Sequence, residues 1–359
     1  VKDDAIRARE IRRDPGGKGI NVSRVLKELG GKTIAFGITG GGAGYMVKSL
    51  LREHAVPFES VEVLQETRIN FILTDRSDRT QTRISAPGPW VTLEEAERLF
   101  DLAVGHRPQA PWWVLGGSLP RGVPTDFYAR IIGQLRRRGA LPFLDADDDA
   151  LKIGIEGRPY CIKPNENELA RLVGQELRDE QQILDAARDV VAGGVEIVAV
   201  TLGEPGALVV TQSGAIRART PSVDVRSKVG AGDSFLAGFV LGLSNGDSLE
   251  TATRLGTAAG TAAVIHEGTQ LCRGEDVTAL LPRITVEQFP LPRCSDGAPE
   301  HPTTLTDVVC GIEVDPGLVD FEASHGARYR FCSLVCQREF ERNPIRYAGR
   351  SEDVLARHT

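Results

Sequence analysis

An α/β fold with a mainly parallel sheet covered on both faces is predicted by three features of this 359-residue sequence. Short runs rich in β-branched and aromatic residues alternate with amphipathic helical segments from Gly16 to about Pro282. Hydrophobic residues make up 41% and charged residues 26%, ordinary for a globular protein, which excludes fibrous and disordered classes. The length is about twice that of a common domain, so one large domain and one small one are expected.

In chain order, Gly16-Gly17-Lys18-Gly19 opens a helix, and TIAFGI (33–38) reads as a strand followed by the helical YMVKSLLREH (45–54). Arg68 to Ser85 alternates short apolar runs around the polar turn Asp75-Arg76-Ser77-Asp78, the pattern of an antiparallel hairpin standing off the main sheet as a flap. Thr92-Leu93-Glu94-Glu95 is a capping box: the Thr oxygen and the Glu carboxylate can satisfy exposed N–H groups of the helix that follows. The strand WWVLGG (112–117) precedes the helix at 124–139, and LPFLDA (141–146) is the next strand. YCIKPN (160–165) leads into the helix ENELARLV (166–173), and EIVAVTLG (196–203) is a further strand and its turn.

The net charge of −6 and pI near 5.7 give a field that repels polyanions, and no local basic patch offsets it, so nucleic-acid binding is excluded. The longest apolar stretch, Phe235 to Leu243, is about half the roughly 20 residues a membrane span needs. The charged N-terminus has no signal-like apolar region. No membrane partner and a cytoplasmic location are therefore expected.

A Pro-rich, apolar-poor stretch at 288–304 reads as a linker between a large domain, 1–287, and a small one, 305–350, with a tail at 351–359. Cys161 and Cys272 lie in the large domain, whereas Cys294, Cys310, Cys332 and Cys336 cluster near the end. Clustered cysteines in a cytosolic chain read as metal ligands before disulfides. Cys332 and Cys336 are one helical turn apart and Cys310 lies 21 residues upstream of Cys332; three such thiolates suit Zn²⁺ or Cu⁺. The plainer alternative is burial of cysteine as a small hydrophobe.

Gly230-Ala231-Gly232-Asp233 runs directly into an apolar helix. Small residues let the backbone N–H groups of such a turn converge on an anion, and the helix N-terminus adds its positive dipole end. Asp233 at its edge is placed to take a proton from an alcohol while the turn stabilises charge on a transferring phosphoryl group. The alternative is a capping turn with Asp233 as the N-cap. GGKGIN near the start and KPNENE in the middle have their own plain readings, a turn and a solvated charged loop.

In this order, GGKGIN, GGSLP, KPNENE, TLGEPGAL and SKVGAGDSF resemble the ribokinase or phosphofructokinase-B family of sugar kinases over roughly residues 5 to 285. The resemblance implies a ribokinase-like three-layer α/β/α sandwich with a small β flap, using ATP and Mg²⁺. It implies Asp233 as the catalytic base and the backbone of Gly230, Ala231 and Gly232 as the anion hole. Gly17, Lys18 and Asn21 match the sugar-contacting motif, Arg68 and Arg83 lie where substrate-phosphate cations are found, and Ser118 falls near the same pocket. Lys163, Asn165 and Glu168 match the ATP and Mg²⁺ motif, and Thr201, Gly203 and Gly206 the adenine and ribose loop. Ser227, Val229, Ala263 and Gly268 match a monovalent-cation loop, usually for K⁺.

The two arginines favour a phosphorylated sugar, and the sequence resembles most the bacterial ribokinase-type 6-phosphofructokinases, which convert fructose 6-phosphate to fructose 1,6-bisphosphate in glycolysis. 1-Phosphofructokinase and tagatose-6-phosphate kinase activities are the alternatives; a catalytically impaired, metal-responsive regulator is the rival of another class. The resemblance implies a homodimer formed through the flap. It also implies a first strand and a substrate-binding Asp about 20 residues upstream of Val1, with Ile6 to Arg13 as a flap strand. Truncation is expected on that ground, and lack of a central strand would leave a large apolar gap. Residues 305–350, with Cys310, Phe331-Cys332-Ser333, Cys336, Phe340 and Tyr347, resemble a YHS domain of the TRASH group, a small metal-associated module.

Overall fold

The structure, a computed structural model, describes residues 8–75, 80–107 and 110–290, together with short pieces of the tail at 305–306, 309, 313–314, 322–324, 328–330, 340 and 347. Two units divide the chain, Val1–Leu291 and Pro292–Thr359. The first unit runs α1 (Lys18–Glu28), β1 (Ala35–Thr39), α2 (Gly41–Glu53), β2 (Phe58–Glu62), β3 (Phe71–Asp75), β4 (Thr80–Ile84), α3 (Leu93–Gly105), β5 (Trp112–Gly116), α4 (Phe127–Arg137), β6 (Leu141–Asp145), α5 (Asp148–Gly154) and β7 (Cys161–Ile162). It continues with α6 (Glu166–Val173), α7 (Glu180–Ala192), β8 (Ile197–Thr201), β9 (Ala207–Thr211), β10 (Gly214–Arg219), α8 (Ala231–Ser244), α9 (Leu249–Val264), α10 (Gly274–Leu280) and β11 (Thr285–Phe289).

Seven strands form the main sheet in the order β11-β10-β9-β8-β7-β6-β5. The strands β5 to β8 are parallel, and β9, β10 and β11 extend the sheet by antiparallel pairing. Alternation along the strands sorts side chains to two faces. Leu144, Ile162 and Val198 join the core under α3, α4, α6 and α7, while their neighbours Phe143, Cys161 and Ile197 join the core under α1, α8, α9 and α10. This is the three-layer α/β/α arrangement expected from the sequence. The Thr92–Glu95 capping box forms at the head of α3, and β3 pairs with β4 as a separate hairpin whose Phe71, Leu73 and Ile84 are exposed.

The sheet is divided. Among the described residues, β1 pairs in parallel with β2 as a two-stranded sheet, β5 is the last strand of the main sheet, and no strand joins the edges of β1 and β5. Both edges line one continuous cavity of about 3390 Å³ that also takes in the glycine-rich turns. Small-molecule clefts are usually about 300–1,000 Å³, so this volume is larger than one small ligand fills. Phe36 and Trp113 stack at its margin with ring centroids 5.7 Å apart.

Two expectations are corrected. Residues 8–13 form no strand and are exposed, because Arg9, Glu10, Arg12 and Arg13 leave no apolar face to bury. The large domain extends past 287, since Gln288 and Phe289 pair with Ile216 and Ala215 in the sheet. In the second unit Leu305–Thr306 pairs with Glu313–Val314 and Glu322–Ser324 with Arg328–Arg330, both antiparallel. Phe340 and Tyr347 are buried with ring centroids 6.5 Å apart. Among the described residues, no helix is long and apolar enough to cross a membrane.

The glycines of α8 and α9 let these helices pack backbone to backbone. A Cβ on Gly256 would stand 2.8 Å from the Phe235 carbonyl oxygen, whereas a Cβ on Gly133 in α4 would meet only the end of the Arg137 side chain at 3.9 Å. Helix propensity favours Ala over Gly by up to about 1 kcal/mol, while overpacking costs about 1–3 kcal/mol. Urea unfolding should therefore show Gly256→Ala destabilised and Gly133→Ala slightly stabilised; equal shifts of the same sign would contradict the packing argument.

Candidate active site

The site assembles at the C-terminal ends of the parallel strands, where open α/β sheets leave room for ligands. β6 ends in Asp145, which is 1% exposed. Its Oδ1 accepts from the Lys18 Nζ at 2.7 Å and faces the Lys163 Nζ at 3.3 Å. Lys18 is the first residue of α1, placed by Gly17, whose φ of 120° is a conformation other residues rarely adopt. Lys163 follows the short strand β7. Burial works against charge on Lys18, but its contacts with Asp145, backed by Glu168 and Asp233, outweigh this and raise its pKa.

Asp233 is not the N-cap of α8. Gly230, in the left-handed conformation, holds that position, so Asp233 sits in the first turn and points inward. Its Oδ2 accepts from Asn21 Nδ2 at 2.7 Å, an atom 212 residues away in sequence. Burial, followed by repulsion from Asp145, raises its pKa from the ordinary value of 3.8, against the opposing pull of Asn21, Lys163 and Lys18. The first N–H groups of α8, at Ala231 and Gly232, have no partner within the helix. A Cβ on Gly232 would meet the Lys163 Nζ at 3.3 Å, so that ammonium lies against the turn. The turn, Lys163 and the Asp233 carboxylate thus form a cradle that offers N–H groups and a cation to an anion, with a basic oxygen beside it.

KPNENE is not a solvated loop. Asn165 caps α6 through its Oδ1, which accepts from the Glu168 N–H at 2.9 Å, and Glu168 Oε2 accepts from the Asn165 N–H at 2.8 Å. Glu168 is buried, with Oε1 3.8 Å from Lys18 Nζ. The Thr201 N–H donates to the Pro164 carbonyl, tying this segment to the end of β8. Asn165, Glu168 and Thr201 line the cavity; Gly203 and Gly206 shape the turn behind it, both at positive φ.

Arg68, Arg83 and Ser118 line the other side, with Arg68 Nη2 3.3 Å from Ser118 Oγ. Ser227 Oγ donates to the Gly268 carbonyl at 2.7 Å and accepts from the Val229 N–H, and Ala263 lies buried near the end of α9, so these four residues gather at one corner. Cys310, Cys332 and Cys336 lie outside the described residues. Among the described residues, no group of three or more His, Cys, Asp or Glu side chains could hold a metal ion.

Asp145, at the centre of these contacts, belongs to none of the motifs that the sequence singles out. A signal for it exists, since LPFLD ends a strand with a carboxylate at the end of the sheet where ligands bind. Its Oδ2 is buried without a hydrogen-bond partner.

The glycine turn, the paired lysines and the inward carboxylate coincide with a family match: the model of the pfkB family carbohydrate kinases spans residues 1–276. The chain belongs to this family. It is 37% identical over 267 residues to ATP-dependent 6-phosphofructokinase isozyme 2 of Mycobacterium tuberculosis, covering 74% of this chain and 78% of that protein. It is 34% identical over 275 residues to 1-phosphofructokinase of Bacillus subtilis, covering 77% and 89%. Among solved structures it resembles phosphofructokinase-2 from Escherichia coli in complex with potassium, with a TM-score of 0.72 and 34% identity over 75% of this chain and 88% of that one. As a pfkB kinase it transfers phosphate to a hydroxyl group of a sugar substrate.

Because folding raises the Asp233 pKa, the native state binds this proton more tightly than the unfolded chain. That contribution to stability is present below pH 3.8 and is lost as pH rises through the folded pKa. Asp233→Asn removes the cost of burying the charge, so its melting temperature should exceed that of the wild type by more at pH 7 than at pH 4. A difference that shrinks with rising pH would contradict a buried, ionised Asp233.

Proposed function

We propose that this kinase transfers the γ-phosphoryl group of ATP to a hydroxyl of a fructose phosphate, with fructose 6-phosphate as the first acceptor and fructose 1,6-bisphosphate as the product. The observation that carries this reading is the buried Asp233 carboxylate, fixed by Asn21 beside the glycine turn and Lys163. Asn21 occupies Oδ2 and leaves Oδ1 to accept the proton of the acceptor hydroxyl. As that proton moves to Asp233, the acceptor oxygen forms its bond to γ-phosphorus and the bond to the ADP oxygen breaks. The N–H groups of Ala231 and Gly232 and the Lys163 ammonium face the charge that develops on the phosphoryl oxygens. Gly17, Lys18 and Asn21 hold the sugar, while Arg68 and Arg83 bind its existing phosphate; the planar guanidinium fork suits that anion. Thr201, Gly203 and Gly206 shape the nucleotide pocket.

Mg²⁺ fits the residues present. Asp145 Oδ2 is a buried carboxylate oxygen without a partner, Glu168 stands nearby, and Mg²⁺ needs only one or two carboxylates besides phosphates and water. When bound, it neutralises phosphate charge. Ser227, Val229, Ala263 and Gly268 form the monovalent-cation corner of the same reading, in keeping with the potassium complex of the E. coli relative. Two copies pair through the exposed apolar face of the β3–β4 hairpin.

The test is ADP release from ATP and Mg²⁺ with fructose 6-phosphate, fructose 1-phosphate and tagatose 6-phosphate offered separately. Fructose 6-phosphate should give the highest kcat/KM. Asp233→Asn should lower kcat by about 10²–10⁴-fold with little change in KM. Turnover of none of the three sugars would overturn the proposal and favour a regulatory role.

We read residues 305–350 as a YHS module holding Zn²⁺ or Cu⁺ through Cys310, Cys332 and Cys336. Elemental analysis of the purified full chain should find stoichiometric metal that Cys332→Ser abolishes; unchanged metal content in the variant would reject this ligand set.

A further inference from the structure

The residue that enters the GGKG turn is tied to a loop from the far end of the first unit. Asp14, with a side chain 7% exposed, has all of its acceptor capacity directed. Oδ1 accepts from Arg24 Nη2 at 3.2 Å and from Arg12 Nη2 at 3.1 Å; Oδ2 accepts from Arg12 Nε at 2.9 Å and from Thr269 Oγ1 at 2.5 Å. Arg24, 8% exposed, also donates through Nη1 to the Pro15 carbonyl at 3.0 Å, so the chain leading to Gly16 is gripped on both side chain and backbone. A second stitch lies one turn further along α1, where the Gly274 N–H donates to Glu28 Oε1 at 2.9 Å.

Thr269 belongs to a segment that reaches the reacting end of the site. Its neighbour Gly268 accepts from Ser227, and Leu271 packs so closely on the catalytic turn that a Cβ at Gly230 would stand 2.4 Å from its Cδ2. One short stretch, 268–271, therefore touches the turn before Asp233, the Ser227–Val229 corner and the entrance to the sugar motif.

We propose that Asp14 and Thr269 form a strap through which segment 268–271 holds the Gly16–Asn21 turn, making both positioning residues for the sugar phosphate. The strap keeps Lys18 and Asn21 aligned with Asp145 and Asp233. A neutral hydroxyl is its one link across the 255 residues between them, so it can be cut without leaving a buried charge unpaired. The proposal rests on the kinase reading for its kinetic consequence but not for its structural one.

Thr269→Val removes the hydroxyl at nearly constant volume, and Thr269→Ser restores it. Amide hydrogen exchange of peptides covering residues 14–23 should be at least threefold faster in Thr269→Val than in the wild type, with Thr269→Ser restoring protection and the urea midpoint shifting little. With the sugar phosphate that the wild type uses, Thr269→Val should raise KM at least threefold and leave KM for ATP unchanged. Exchange at the wild-type rate in Thr269→Val would overturn the strap. Faster exchange with an unchanged sugar KM would overturn the positioning role. A wild type inactive on all three sugars would reject the kinase reading alone, and the exchange comparison would still decide the strap.

Discussion

Two ammonium groups converge on one buried carboxylate oxygen, and the arrangement of the cleft depends on that convergence. Asp145 sits at the end of β6, Lys18 begins α1 and Lys163 leaves β7. Each brings a different functional segment with it. Loss of either lysine would leave an under-compensated charge in the interior, which costs far more than loss of a surface pair. The same cluster sets the electrostatics of Asp233, whose carboxylate is disfavoured by burial and by Asp145 yet supported by both lysines and Asn21. In the proposed mechanism this balance matters, since proton abstraction from an alcohol needs a carboxylate that can accept a proton.

Much of this was legible in the sequence because it is carried by local patterns. The alternation of strands and helices, the capping box at Thr92 and the hairpin around Asp75 each have short-range causes, and all three are present. The glycine turn could be read from the sequence as a phosphate cradle or as a cap, and the structure decides only where Asp233 stands. Gly230 takes the N-cap position, and Asp233 turns inward to Asn21, which comes from the opposite end of the unit. KPNENE looked as much like a solvated loop as a site, since a reciprocal cap between Asn165 and Glu168 shows itself only once the helix start is fixed. Asp145 escaped notice for the same reason: a single carboxylate at a strand end gains meaning from two lysines that lie 127 and 18 residues away in sequence. Residues 8–13, the described part of the expected flap strand, form no strand because strand pairing, and not local propensity, decides whether a charged segment becomes extended structure.

α1 brings Lys18 and Asn21 to the cleft from one side, and β6 and β7 bring Asp145 and Lys163 from the other. Side-chain pairs join the two sides, Lys18 with Asp145 and Asn21 with Asp233, beside the packing of α1 against α8. Polar contacts in this cleft therefore have a structural as well as a chemical role.

These pairs also share a property of time. Lys18 meets a partner 127 residues later, Asn21 one 212 residues later and Asp14 one 255 residues later. Contacts so distant in sequence close large loops and form late in folding. On the ribosome Lys18 must wait for Asp145, Asn21 for Asp233 and Asp14 for Thr269, so only a chain synthesised through Thr269 can complete all three pairs. A chain interrupted before Thr269 would therefore lack at least one of the three pairs.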